Sequence, residues 1–220
     1  MSANAQDDRG FLGGLVAAQP RGVACPLMSD VAQTPWPEPA LNGDEAATWF
    51  GSLERQRATF AWKVSGLDSA GLNARLGTST MTLGGLIKHL AFVEDAKTGE
   101  FLTGVWAGPW DWARVSQDQE SLWTSAAEDS PEELIALWPG AVMRSRAAFS
   151  VASADGSLGA PTLVSFEGEP VSIRRLLADL LEEYARHTGH ADLLREAVDG
   201  LVGEDPSDGT PAAWPPLESH

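Results

Sequence analysis

The chain has 220 residues, which is enough for one domain with a full hydrophobic core. It carries 31 acidic and 15 basic side chains, a formal net charge of -16 at pH 7. Such a charge repels nucleic-acid backbones and anionic membrane surfaces, so neither nucleic acid nor a membrane is expected as a partner. No apolar run reaches the 18 residues that a membrane-spanning helix needs.

Cysteine usage indicates the cellular compartment. The single cysteine, Cys25, excludes an intramolecular disulfide framework and a structural zinc site of several cysteines. The first residues are acidic rather than basic, and no signal peptide is predicted. We therefore expect a cytoplasmic protein.

Three segments are predicted from composition and periodicity. Residues 1–43 are rich in proline, glycine, alanine and aspartate, which predicts an irregular N-terminal extension. Met28 lies within it and is an alternative start of translation. Periodic patterns fill residues 44–202 and predict one helical domain, followed by an irregular C-terminal tail over residues 203–220.

The first two predicted helices have clear apolar faces. Residues 44–65 begin with acids and continue with apolar side chains near helical spacing. A second helix is predicted over residues 81–104, with Ser79 and Thr80 before or at its start and His89 near its middle. The apolar positions are Trp49, Leu53, Phe60 and Val64 in the first helix and Leu83, Leu86, Leu90 and Val93 in the second.

The second half of the domain begins with a long connection. Residues 103–129 contain four tryptophans among glycines and acids, which predicts a surface crossover. Ser130 and Pro131 then predict a helix start, and this third helix continues to about residue 150. A short strand-like segment and a turn precede the fourth helix, which is predicted over residues 172–198. The pattern predicts an all-α four-helix bundle with a long crossover.

The fourth helix carries a candidate metal-binding pair. Glu183 and His187 are four residues apart, so a carboxylate oxygen and an imidazole nitrogen lie one helical turn apart. His190 falls on the same stripe of this helix. His89 of the second helix is the candidate third ligand. Two imidazoles and a carboxylate suit Zn, Fe, Ni or Mn with water in the open positions.

Other interpretations of these residues are open. Glu183 and His187 would also be explained as a hydrogen-bonded pair, and His89 as a core histidine. His190 is predicted to line the pocket or to orient a neighbouring ligand. The tryptophans of the crossover are expected to pack in the core or the loop, and the alternative is that they wall a pocket.

Two segments resemble a known family. Residues 82–94, TLGGLIKHLAFVE, and residues 182–200, EEYARHTGHADLLREAVDG, resemble the DinB-like superfamily and most closely its thiol-dependent branch. In that superfamily one histidine comes from the second helix and a pair of ligands from the last, which maps onto His89, Glu183 and His187. The E-x3-H pair is similar to that of mycothiol-dependent maleylpyruvate isomerase.

The resemblance covers about residues 35–202. It implies a metal-binding four-helix bundle, often dimeric, in which Zn or a similar ion (Ni, Fe or Mn) activates the low-molecular-weight thiol mycothiol or bacillithiol. The expected activity is transfer of the thiol to a small-molecule electrophile, or isomerisation of that electrophile. His190 and Arg186 are the candidate catalytic residues, which would orient the substrate. The alternatives are a metal-dependent hydrolase that uses bound water and a metal-binding bundle without enzymatic activity.

Overall fold

The computed structural model describes residues 36–206 except residue 119. Within these residues the chain is mostly helical, and four long helices form the predicted all-α bundle. The fold prediction is confirmed. Cys25, Met28 and most of the predicted N-terminal extension lie outside the described residues, as does the C-terminal tail from residue 207. None of the described helices is both long enough and apolar enough to cross a membrane.

The helices and strands follow one another along the chain with short connections, apart from the crossover. The four bundle helices are α1, α3, α6 and α7, and a β-hairpin precedes α7. The elements are α1 (Glu45–Val64), α2 (Ser69–Leu72), α3 (Leu83–Thr98) with a π-helical turn (Gly99–Thr103), α4 (Trp112–Gln117), α5 (Ser121–Thr124) with a 3-10 turn (Ser125–Glu128), α6 (Pro131–Ala152), β1 (Pro161–Phe166), β2 (Glu169–Ser172) and α7 (Ile173–Asp199).

Side-chain caps determine where the bundle helices begin. Ser130 and Glu133 form a capping box at the start of α6, as the sequence predicted for Ser130. The start of α3 differs from the prediction: the helix begins at Leu83, because the Thr82 hydroxyl accepts the backbone N–H of Gly85. The helix therefore begins two residues after the predicted start, and Thr82 caps it instead of Ser79 or Thr80.

The four long helices form two parallel pairs. α1 and α7 run in the same direction, whereas α3 runs opposite to α7 and α6 opposite to α1. The crossover between α3 and α6 must therefore return along the bundle. The contacts that establish these directions are Glu45–Arg174 and Lys63–Asp192 for α1 and α7, His89–Glu183 and Lys97–Asp179 for α3 and α7, and Phe50–Phe149 and Glu54–Arg146 for α1 and α6.

The core contains the apolar side chains that the periodicity indicated. All of the apolar positions predicted for the first two helices are buried except Trp49, which is partly buried at the edge of the core. Burying such side chains is the main favourable contribution to folding. The apolar periodicity thus accounts for which faces of α1 and α3 lie toward the core.

A charged group lies in the middle of this core. The Arg57 guanidinium, 1% exposed, donates two hydrogen bonds to the Glu94 carboxylate, at 2.8 and 2.7 Å. It also donates to Glu54 at 2.6 Å and to the Ser145 hydroxyl at 3.2 Å. Burial disfavours the charged form, but the attraction of the two carboxylates outweighs it and raises the pKa of Arg57. These contacts connect α1, α3 and α6.

The same network reaches α7 through Tyr184. The Tyr184 hydroxyl is buried, donates to Glu94 at 2.7 Å and accepts the indole N–H of Trp138 at 2.7 Å. Burial and the nearby carboxylate raise the pKa of Tyr184 well above its ordinary value, so it remains a neutral donor. Glu94 therefore accepts hydrogen bonds from both α1 and α7.

We expect Arg57→Leu to destabilise the fold strongly, because it leaves Glu94 buried without its counter-charge. Loss of one partner of such a pair costs about 3–5 kcal/mol. The free energy of unfolding, from urea titration followed by circular dichroism, would measure this loss. Arg174→Leu is the matched control, since it removes an arginine that pairs with Glu45 in solvent, and little change is expected. Equally small losses in the two variants would contradict the structural role of Arg57.

Candidate metal centre

His89, Glu183 and His187 come together between α3 and α7. Each offers one ligand atom, and these atoms all lie within 4.8 Å of one another. The His187 side chain is buried, whereas those of His89 and Glu183 are 18% and 31% exposed. The three residues thus form a cluster with one side open to solvent, as a site that admits a small molecule requires.

The distances in this cluster suit shared ligation of one ion. The same Glu183 oxygen, Oε2, lies 3.4 Å from His89 Nε2 and 3.4 Å from His187 Nε2. A charge-assisted hydrogen bond is usually shorter, about 2.7–2.9 Å. Two ligands bound tetrahedrally at the zinc distances of about 2.0–2.1 Å lie about 3.3 Å apart. The donor set and its spacing therefore fit a divalent ion such as zinc.

The protonation of Glu183 also suits a cation site. Both imidazoles lie within hydrogen-bonding reach of this carboxylate, His187 having the larger effect, and they hold the pKa of Glu183 well below its usual range despite partial burial. The carboxylate is therefore anionic at neutral pH. Among the side chains of the cluster it supplies the negative charge that a divalent ion requires.

Trp123 of α5 covers one side of the cluster. Its indole stacks on the His89 imidazole, with ring centroids 4.4 Å apart and an interplanar angle of 19°. It also lies 5.6 Å from the His187 ring. Gly85, one turn before His89, allows this approach, because a Cβ there would lie 3.2 Å from Trp123 Cε3. The crossover thus supplies a wall of the site. A role as a pocket wall was the alternative that the sequence had left open for the crossover tryptophans.

The two candidate catalytic residues lie in different surroundings. His190 Nδ1 lies 3.2 Å from His187 Nδ1, so His190 contacts the nitrogen of His187 that faces away from Glu183. Partial burial, together with the nearby His187 and Arg186, lowers the pKa of His190. Arg186 lies on the exposed face of α7, where it pairs with Glu182 at 3.4 Å. The substrate-orienting roles of His190 and Arg186 stay predictions.

The sequence did not distinguish two residues that shape this site from their neighbours. Trp123 was one of several crossover tryptophans, and nothing in its local pattern distinguished it from the others. Tyr184 directly follows Glu183, and its hydrogen bond to Glu94 fixes the rotation of α7 so that Glu183 is directed toward α3. The only available signal was its place on the apolar stripe of the fourth helix.

The fold and the cluster together define a class of protein: a four-helix bundle with two histidines and a glutamate gathered on two of its helices. The family model for mycothiol S-transferases, described as "MST: Mycothiol-S-transferase", matches residues 48–200. The chain therefore belongs to the mycothiol S-transferase family, and the predicted membership of the thiol-dependent DinB-like proteins is confirmed. Comparisons with curated proteins and with solved structures find no significant match.

We expect Trp123→Ala to expose His89, because the indole covers one face of its ring. The measurement is the rate at which diethylpyrocarbonate modifies His89 in metal-free protein, followed by peptide mass spectrometry. A several-fold increase at His89 is expected. Trp110→Ala serves as the control, since Trp110 also lies in the crossover but donates to Asp95 instead. An unchanged rate at His89 in Trp123→Ala would contradict the stacked arrangement.

Proposed function

We propose that this protein is a divalent-metal-dependent transferase that joins a low-molecular-weight thiol, mycothiol or a close analogue, to a small electrophile or uses it to isomerise one. Family membership supports a mycothiol-related transferase role. The observation that carries the metal dependence is the placement of one Glu183 oxygen 3.4 Å from a nitrogen of each of two histidines.

His89, Glu183 and His187 would hold the ion. Zinc is the first candidate and Ni, Fe or Mn are alternatives, because two imidazoles and a carboxylate suit several divalent ions. When bound, such an ion lowers the pKa of a thiol and holds it as the nucleophilic thiolate near neutral pH. His187 and His89 contribute neutral donors and Glu183 one negative charge, so a net positive charge would be left to attract a thiolate.

The other residues of the site would prepare the reaction. Trp123 excludes water from one side of His89 and restricts the orientation of its imidazole. His190, beside the second nitrogen of His187, would fix the rotation of that ring, as outer hydrogen-bond partners of metal-binding histidines do. Arg186 lies farther out on the same helix and would meet the substrate at the rim. The sulfur would form a C–S bond with the electrophilic carbon as that carbon's bond to a leaving group, or one of its π bonds, breaks, and the thiol proton would go to solvent.

Metal content tests the proposed ligands. We expect about one ion per chain by elemental mass spectrometry of tag-free protein, and loss of most of it in His187→Ala or His89→Ala. Glu182→Ala is the matched control, because it removes an exposed side chain beside Glu183 that pairs with Arg186 and is not a proposed ligand. Each variant should be folded by circular dichroism. Wild-type protein that takes up no Zn, Ni, Mn or Fe(II) would contradict metal dependence and favour a bundle without enzymatic activity.

Thiol dependence separates transfer from hydrolysis. With monochlorobimane as the electrophile, we expect product formation to require both mycothiol and the bound ion, and to fall by at least about 100-fold in His187→Ala, in line with the loss of an essential group. The rate of adduct formation is followed by fluorescence, with the uncatalysed reaction subtracted. Turnover of ester substrates that persists after all low-molecular-weight thiols are removed would favour the metal-dependent hydrolase instead.

The homodimer that the resemblance allows, the cytoplasmic location and the domain boundaries at residues 43 and 202 stay predictions. Light scattering coupled to size-exclusion chromatography of the full chain would measure the oligomeric state.

A further inference from the structure

A cavity of about 510 Å³ lies beside the candidate metal centre. It is bounded by the connection from α2 to α3, by the first residue before α3 and by α5. Most of its lining groups are hydroxyls or other hydrogen-bonding groups. They include Asn73, Arg75, Ser79, Thr80, Thr82 and Trp123. The mixture of a tryptophan wall with several polar groups is typical of a small-molecule site.

Trp123 connects this cavity with the metal cluster. The same indole that lines the cavity stacks on the His89 imidazole at 4.4 Å. A molecule in the cavity would therefore contact a side chain that also contacts one proposed ligand. Glu183, on the more open side of the cluster, is 31% exposed.

Arg75 is unusual among the basic residues of this acidic chain. It is exposed at the cavity and forms no ion pair with any residue in the ranges 36–118 and 120–206. Every other lysine and arginine in those ranges has a carboxylate partner, with the exception of Arg114. In a protein with a net charge of -16, a guanidinium left unpaired at a cavity is available for an anion from outside.

We propose that this cavity binds the carboxylate end of the electrophile, with Arg75 as its anchor. The proposal rests on the proposed function, since it assigns the substrate class of that same site. A planar guanidinium matches a carboxylate with two parallel hydrogen bonds. Arg75 is the only basic residue of the lining, and Glu120 also lines the cavity. A singly charged carboxylate therefore fits better than a phosphate dianion, which would need further positive charge.

The neutral part of the ligand would meet the hydroxyls of Ser79, Thr80 and Thr82. These groups donate and accept hydrogen bonds, so they suit amide, hydroxyl or carbonyl groups next to the carboxylate. The reactive carbon would then extend past Trp123 toward the cluster. The substrate class is thus a small monocarboxylate that carries an electrophilic carbon and additional polar groups.

A charge-matched pair of probes tests this assignment directly. N-acetylglycine carries one carboxylate, and N-acetylglycinamide is its neutral counterpart of nearly the same shape. Their binding to the full chain, both metal-free and zinc-loaded, is followed by the indole N–H resonance of Trp123 in two-dimensional NMR spectra. The variants are Arg75→Gln and, as the matched control, Arg114→Gln, since Arg114 is also exposed and unpaired within the described residues but lines a different cavity.

We expect wild type and Arg114→Gln to bind the acid at least about tenfold more tightly than the amide, and Arg75→Gln to lose this preference, as for a charge-assisted hydrogen bond. Saturating mycothiol should leave acid binding intact. The proposal would be contradicted if Arg75→Gln bound the acid as tightly as wild type, or if both variants lost acid binding equally. It would also be contradicted if mycothiol displaced the acid, or if the acid did not shift the Trp123 resonance in wild type. Because binding is measured without turnover and also without metal, failure of metal uptake would contradict only the proposed function.

Discussion

Arg57 and Glu94 form a charge pair in the middle of the bundle, and the arrangement of the four helices depends on it. A guanidinium and a carboxylate removed from water are tolerated only when each finds its partner in good geometry. A shift of α1 along α3 by one turn would separate the two groups and leave both desolvated and unpaired. The pair therefore penalises alternative registers that apolar packing alone, which is less directional, would permit.

The candidate metal centre follows from this register. Glu94 lies on α3 five residues after His89, and Tyr184 lies on α7 next to Glu183. The hydrogen bond between Glu94 and Tyr184 thus fixes the height and rotation of α7 against α3 at the level of the proposed ligands. The buried hydrogen bond on the inner faces of α3 and α7 thus positions the proposed ligands on their more open faces. A substitution in the buried network would therefore also displace the proposed ligands.

The sequence predicted the fold well because the bundle is built from strong periodic patterns. Leu83, Leu86 and Leu90 repeat at helical spacing, and such a pattern has few alternative interpretations. The proposed ligands could also be identified from the sequence, since Glu183 and His187 belong to one helix and their separation follows from helical geometry.

The residues that sequence reasoning missed act between distant segments. Arg57 on α1 appears in the sequence as a polar residue that interrupts an apolar face, and only the fold brings it to Glu94 and Ser145. Trp123 belongs to the crossover, whose path no periodic pattern indicates. Arg75 stands in a loop, where an unpaired charge has no signature in a single sequence. Long-range polar pairs and loop conformations could therefore not be predicted from the sequence, because they depend on which distant segments the fold brings together.

The parallel arrangement of α3 and α6 has a consequence for how such a protein can diversify. Two parallel neighbours need a connection that travels back along the bundle, and here that connection carries Trp123 to the side of His89. The proposed ligands sit on rigid helices, while one wall of the site belongs to the returning segment. Insertions and replacements in that segment would reshape the wall while the ligand set stays in place. Evolution could thus vary the choice of substrate and conserve the chemistry as two separable traits of one scaffold.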